Sequence, residues 1–385
     1  MSPPAAIPAS YPPLAHPNSK RVRRKALRVL DRALGLRHGE RRPVLMMWAY
    51  SFSLGVAVAY LTSAALPIFL AAFTIRLFPY VILIAALAEL GVGYITELAE
   101  KRIPRSQISS FVLLGIVALT LVCFGMLSLA PLYLPAFAVL VWAYIQRSLI
   151  PGEFWGLSAL LFDVRESKRL FSLIDSGAIV AKILGYFSVP LLLPFLPLRS
   201  LLLFSTAGAV AAYFIVVRLR RRYRLALDYS SHTSLFHRHG LSLRAETAHP
   251  IALEHHASSE HEEEHFSVLH ETLTFIRENS YVRTIAVVSF LAIIGMNVID
   301  YGFLREIELK FAQQQRMASV LALFFGVAEV LCFAIKMGLA GRLFSRFGPV
   351  RMSGAFPVIL LSISILTLLS SANRQWAIWF FTLQA

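Results

Sequence analysis

The chain has 385 residues, 57% of them hydrophobic and only 15% charged, with a formal net charge of +15. A soluble domain is nearer half apolar and a quarter charged; here the apolar excess gathers into runs of about twenty residues, the length that crosses a bilayer core. These figures exclude an ordinary soluble enzyme and point to a polytopic membrane protein whose cations face anionic inner-leaflet lipid and not nucleic acid, for which no groove-reading motif is present.

Residues 1–19, opening MSPPAAIPASYPP, are Pro-rich and read as a disordered N-terminus without a signal peptide. Residues 20–42 hold ten Lys or Arg and place Val22, Ala26, Leu27, Leu30, Ala33 and Leu34 on one helical face. This segment is either a basic amphipathic helix lying on the inner membrane surface or a solvated lead-in.

Nine apolar spans follow, near 44–66, 78–98, 108–129, 135–158, 172–193, 199–218, 283–304, 317–339 and 350–370, and a tenth begins near Trp376. In hydrocarbon each must be a helix, because exposed backbone polar groups find no water there. Residues 43–218 therefore form a six-helix bundle, and 281–385 form part of a second. Since the sequence stops inside a span, it is expected to be a fragment or a shortened form of a twelve-helix protein. The segments Lys20–Arg42, Lys101–Arg105, Arg165–Arg169, Arg218–Arg224 and Arg342–Arg351 alternate on one side and hold 24 Lys or Arg, against six on the other. Basic loops mark the cytoplasmic face, so the N-terminus is placed inside, in a cell inner membrane.

Ionisable groups within spans are costly and face a cavity or a partner. The second span carries Glu89. The fourth carries Gln146, Arg147 and Glu153 around Pro151-Gly152. Arg147 sits near the midplane, where its planar fork suits a phosphate or carboxylate; pairing with Glu153 or another helix is the structural alternative. In the fifth span Asp175 and Lys182 stand seven apart on one face, about 10 Å along the axis. The eighth span repeats that spacing with Glu329 and Lys336. The separation is too long for pairing within a helix, so the partners lie on other helices or on a substrate. Lys182 and Lys336 are candidates to clamp an anion, and Glu89 and Glu329 to take a proton or orient it. Asn297 and Asp300, in the outer half of the seventh span, are candidates to line a wet cavity. Asp163 to Arg169, at the turn after the fourth span, form either a gating network or a solvated turn. Gly177, Ala178, Ala181 and Gly185 permit close helix packing.

Residues 219–280 read as a cytoplasmic linker holding nine of the eleven histidines. Within it His261-Glu-Glu-Glu-His265 matches the His-Glu-x-x-His zinc pattern. A catalytic zinc also needs a third ligand and a water-excluding cleft; a region this rich in His and Glu produces the match by composition, and the reading is linker. Cys123 and Cys332 both lie in apolar runs and give no disulfide or metal spacing. No nucleophile–base arrangement or phosphate loop emerges, so neither an enzyme nor a cofactor is expected.

The second and eighth spans share a central Ala-Glu, at Glu89 and Glu329, and each runs into a short basic turn, as a parallel repeat of six helices would produce. The stretch Gly341-Arg342-Leu343-Phe344-Ser345-Arg346-Phe347-Gly348-Pro349-Val350-Arg351 resembles the Gly-x-Leu-x-Asp-Arg-x-Gly-x-Arg loop of the major facilitator superfamily, with Ser345 where that family has aspartate. A closer resemblance, over roughly residues 36–370, is to the ATP/ADP translocase-like family. It rests on Leu36-Arg37-His38-Gly39-Glu40-Arg41-Arg42, on Phe154-Trp155-Gly156-Leu157, on Phe162-Asp163-Val164-Arg165-Glu166-Ser167-Lys168-Arg169-Leu170-Phe171, and on Asn297, Asp300 and Tyr301. The resemblance implies an all-α, major-facilitator-like fold of twelve helices that exchanges nucleotides. Two positions depart from it: LTSAALPIFLAAF lacks the lysine that nucleotide exchangers carry near the end of the first helix, and AFAVLVWAYIQR lacks an acidic residue early in the fourth. The expectation is an alternating-access transporter for an anionic small molecule, with ATP/ADP exchange as the resemblance implies. The alternative is a non-transporting membrane module that anchors or senses for a cytosolic partner.

Overall fold

The structure, a computed structural model, describes residues 41–100, 103–129, 133–162, 164–246, 277, 279–311, 313–340, 346 and 362. The basic segment before Arg41, the His261–His265 pattern, the facilitator-like loop at Gly341–Arg351 and the ninth and tenth spans lie outside those residues, apart from Arg346 and Ser362.

Eight long helices follow one another: α1 (Arg41–Ala72), α2 (Phe78–Glu100), α3 (Arg105–Leu129), α4 (Tyr133–Leu161), α5 (Val164–Leu192), α6 (Leu201–Glu246), α7 (Ser280–Lys310) and α8 (Gln314–Ala334). A π-helical turn, Ile335–Ala340, continues α8. Every one of the eight contains a stretch long and apolar enough to cross a bilayer, and no strand occurs among the described residues. The chain is an all-α, multi-pass membrane protein.

Helix α1 is the hub. It packs against α4, α5, α6 and α8, and small residues let it approach two of them at backbone distance. A Cβ added to Gly177 of α5 would lie 2.5 Å from the Trp48 carbonyl oxygen, and one added to Gly208 of α6 would lie 2.8 Å from the Ala57 nitrogen. Hydrogen bonds follow the same seams. The Ala178 N–H donates to Ser51 Oγ at 3.1 Å, Trp48 Nε1 donates to Ser176 Oγ at 3.2 Å, and Ser205 Oγ donates to the Ala57 carbonyl at 2.7 Å. In hydrocarbon no hydrophobic gain separates helix from lipid, so close contact and interhelical polar bonds supply the association.

Around that hub, α3 lies against α4 and α6, α2 against α4, and α8 against α5 and α1. Helix α7 joins through one end: Phe303, Leu304 and Ile307 are buried, the Phe303 and Phe324 rings stand 4.8 Å apart, and Glu308 Oε2 accepts the Ile75 N–H at 3.2 Å in the short turn between α1 and α2.

Helix α6 continues beyond its apolar stretch to Glu246, across a single non-helical residue, Tyr223 (φ −117°, ψ 27°). The stretch RLRRRYRLALDYSS is too polar to cross a membrane but rich in Arg, Leu and Ala, and such residues hold a helix in water as readily as in lipid.

Candidate functional site

Five helices enclose a cavity of about 620 Å³. Each contributes one face at helical spacing. Helix α1 gives Ser51, Leu54, Gly55, Val58, Thr62, Ala65 and Leu66, and α4 gives Tyr144, Arg147, Pro151 and Trp155. Helix α5 gives Asp175, Ile179, Lys182 and Tyr186; α7 gives Asp300, Phe303 and Leu304; α8 and its π turn give Phe325, Glu329, Cys332 and Lys336. Repeats of three, four and seven residues put these side chains on common faces. From Ser51 to Leu66 the cavity follows α1 for about 22 Å at 1.5 Å per residue.

Six of the nine side chains singled out in the sequence meet here: Arg147, Asp175, Lys182, Asp300, Glu329 and Lys336. Their pairing is reciprocal. Lys182 of α5 bonds Glu329 of α8, and Lys336 of α8 bonds Asp175 of α5. Going back seven residues on α5 goes forward seven on α8, so the helices run antiparallel and the two pairs stand two turns apart. The spacing argument that neither pair closes within a helix is satisfied by the neighbouring helix. The anion clamp expected of Lys182 and Lys336 is altered by this pairing, because each ammonium already meets a carboxylate. Placement at membrane depth favours that arrangement, because a charge there needs a partner or a cavity to face.

Arg147 and Asp300 are different. Both line the cavity, Arg147 from α4 and Asp300 from α7, and among the described residues neither side chain forms an ion pair or hydrogen bond. Arg147 thus presents the cavity's one unpaired guanidinium among those residues, with Tyr144 on the preceding turn of α4.

Three candidates fall elsewhere. Glu153 is 6% exposed and accepts a hydrogen bond from Ser109 Oγ of α3 at 2.6 Å, so it faces α3 and not the cavity. Asn297 donates from Nδ2 to the Ile293 carbonyl of its own helix at 2.8 Å. Glu89 sits half-buried on α2 and does not reach the cavity wall. Its sequence counterpart Glu329 does, because α8 is seated on α5 and α1 whereas α2 lies against α4. Gln146, beside Arg147, is buried, and its amide makes no hydrogen bond among the described residues. The side chains of Arg165 to Arg169 are not among those described.

Sequence reasoning missed Tyr144 and Tyr186. The signal was available: Tyr144 precedes Arg147 by three residues and Tyr186 follows Lys182 by four, which puts each on its neighbour's face. It also missed the bond from Ile75 to Glu308, which joins residues 233 apart in sequence and leaves no local trace.

The fold and this site define a class, a multi-pass membrane protein with a charged cavity enclosed by its helices. No protein-family model matches the chain, and no curated protein matches it.

Proposed function

We propose that the protein is an alternating-access transporter for small solutes that carry an anionic group, built from two facilitator-like halves with the N-terminus in the cytoplasm of an inner membrane. The observation that carries this reading is a cavity lined by α1, α4 and α5 from before the long connection and by α7 and α8 from after it, with an arginine in its wall that is unpaired among the described residues. Membrane-depth charges are tolerated where they face a cavity or meet a partner; all six face the cavity and four of them are paired. The repeat supports the division into halves: α1 and α7, counterparts six helices apart, both face the cavity, and carriers of this architecture bind substrate between their repeats.

The cavity reaches the level of Trp155, Asp175 and Lys336, toward the ends of α4, α5 and α8 nearest the basic turns. At the other end Phe69, Phe303 and Ile307 are buried and Glu308 is bonded to Ile75. This supports an inward-facing conformation, with rocking of the halves required to expose the opposite side. Nucleotide exchange, which the resemblance to ATP/ADP translocases implies, is one member of the proposed class.

Proteoliposomes holding the full chain should accumulate a labelled anionic or zwitterionic solute, and Arg147→Ala should abolish that uptake while leaving the protein folded. Uptake that persists unchanged in Arg147→Ala would remove Arg147 from the site. One feature favours the anchoring or sensing alternative, namely the two ion pairs fixing α5 to α8. Flux of no solute across a broad panel, with the protein folded, would favour that alternative.

A further inference from the structure

The charge balance of the cavity narrows the solute it takes. Among the described residues six charged side chains line it, three cationic and three anionic. Four of them cancel in the crossed pairs Lys182–Glu329 and Lys336–Asp175. What remains among the described residues is one guanidinium, Arg147 on α4, and one carboxylate, Asp300 on α7, one from each half and both lining the same space. A solute bearing three or four negative charges would find one unpaired cation and would bring its charge against an unpaired carboxylate. A solute with a single anionic group would satisfy Arg147 but leave Asp300 uncompensated. A solute carrying both signs satisfies both.

We propose that the substrate is a zwitterion with an apolar body, of the hydrophobic amino acid or short peptide class: its carboxylate is held by the Arg147 fork and its ammonium by Asp300. This rests on the transporter reading and names the substrate for it. The planar guanidinium offers two parallel N–H donors to a carboxylate, and an ammonium offers three donors to Asp300. The rest of the wall is mainly apolar, including Leu54, Val58, Trp155, Phe303 and Phe325. At about 620 Å³ the space lies in the range of small-molecule pockets and exceeds what a glycine-sized solute would fill. Tyr144 and Tyr186 add hydroxyl groups to this wall.

The test is equilibrium binding to the purified full chain in lipid nanodiscs, with no flux required. Competition against labelled L-phenylalanine and L-leucyl-L-phenylalanine would use N-acetyl-L-phenylalanine, which lacks the ammonium, phenethylamine, which lacks the carboxylate, and ATP. Loss of either charged contact is expected to weaken binding about 10- to 100-fold, with ATP weaker than both zwitterions. In Asp300→Asn the gap between phenylalanine and its N-acetyl form should close, and in Arg147→Gln the gap between phenylalanine and phenethylamine should close. ATP binding more tightly than both zwitterions, N-acetyl-L-phenylalanine equalling L-phenylalanine on the unaltered protein, or no zwitterion binding at all would each overturn the proposal. The first two comparisons need no variant, so a misfolded mutant does not blunt them. Zwitterion binding without uptake in proteoliposomes would sink the transporter reading and keep this one; uptake confined to compounds lacking an amine would do the reverse.

Discussion

Replacing Glu329 by Gln removes the carboxylate that Lys182 bonds across the α5–α8 seam. The Lys182 and Glu329 side chains are 26% and 18% exposed, so neither is fully solvated. Two unit charges at about 4 Å attract by about 4 kcal/mol at an effective dielectric near 20. Desolvation of both groups opposes this, and the cavity water screens part of it. The net coupling between the two side chains should therefore be about 1–2 kcal/mol. The second pair has a more exposed lysine, 39% for Lys336, and should couple by at most about 1 kcal/mol. A double-mutant cycle with Lys182→Met, Glu329→Gln and the double variant, read by unfolding in mixed micelles, measures the first value directly. A parallel cycle on Asp175 and Lys182, seven residues apart on one helix, should give no coupling. Zero coupling in the first cycle, or coupling within α5 instead, would refute the crossed arrangement.

Gly177→Ala should destabilise the protein by about 1–3 kcal/mol, because the new Cβ would stand 2.5 Å from the Trp48 carbonyl oxygen and push α5 off α1. Gly93→Ala, which meets nothing within 4 Å, should be neutral or stabilising by up to about 1 kcal/mol; thermal unfolding of both variants side by side checks the contrast. Ser109→Ala withdraws a donor from the buried Glu153 carboxylate and should cost about 1–3 kcal/mol. Ligand affinity should stay unchanged in that variant, because Glu153 lies off the cavity; a matching loss of affinity in a binding assay would put Glu153 back into the site.

The first eight membrane spans were legible because their signal is local: a run of apolar residues closes its own hydrogen bonds in lipid wherever it sits. Helix ends were less so. Helix α6 outruns its apolar stretch, and hydropathy has no view of a helix that continues into water. The seven-residue spacing of Asp175 with Lys182 and of Glu329 with Lys336 stated that partners must come from elsewhere, but identifying them required knowing that α8 lies antiparallel on α5. That placement depends on packing between distant helices, which no single stretch records. The same gap explains Glu89. The Ala-Glu shared by the second and eighth spans is visible in sequence, yet of the two glutamates Glu329 alone lines the cavity, on the helix seated against α1 and α5. Glu153 adds a question of direction: it stands six residues from Arg147 on the same helix, and that step turns it toward Ser109 on α3.

The account stands on the cavity being water-filled and open toward the basic turns, and the protein carries its own reporter. Cys332 lines the cavity one turn from Glu329 and is exposed, while Cys123 is buried. Labelling with a membrane-impermeant maleimide in sealed vesicles of each orientation reads this out. Cys332 should react when the basic turns face the reagent and be slowed by bound substrate, with Cys123 unmodified. A Cys332 that reacts only with membrane-permeant reagents, in either orientation, would contradict the account.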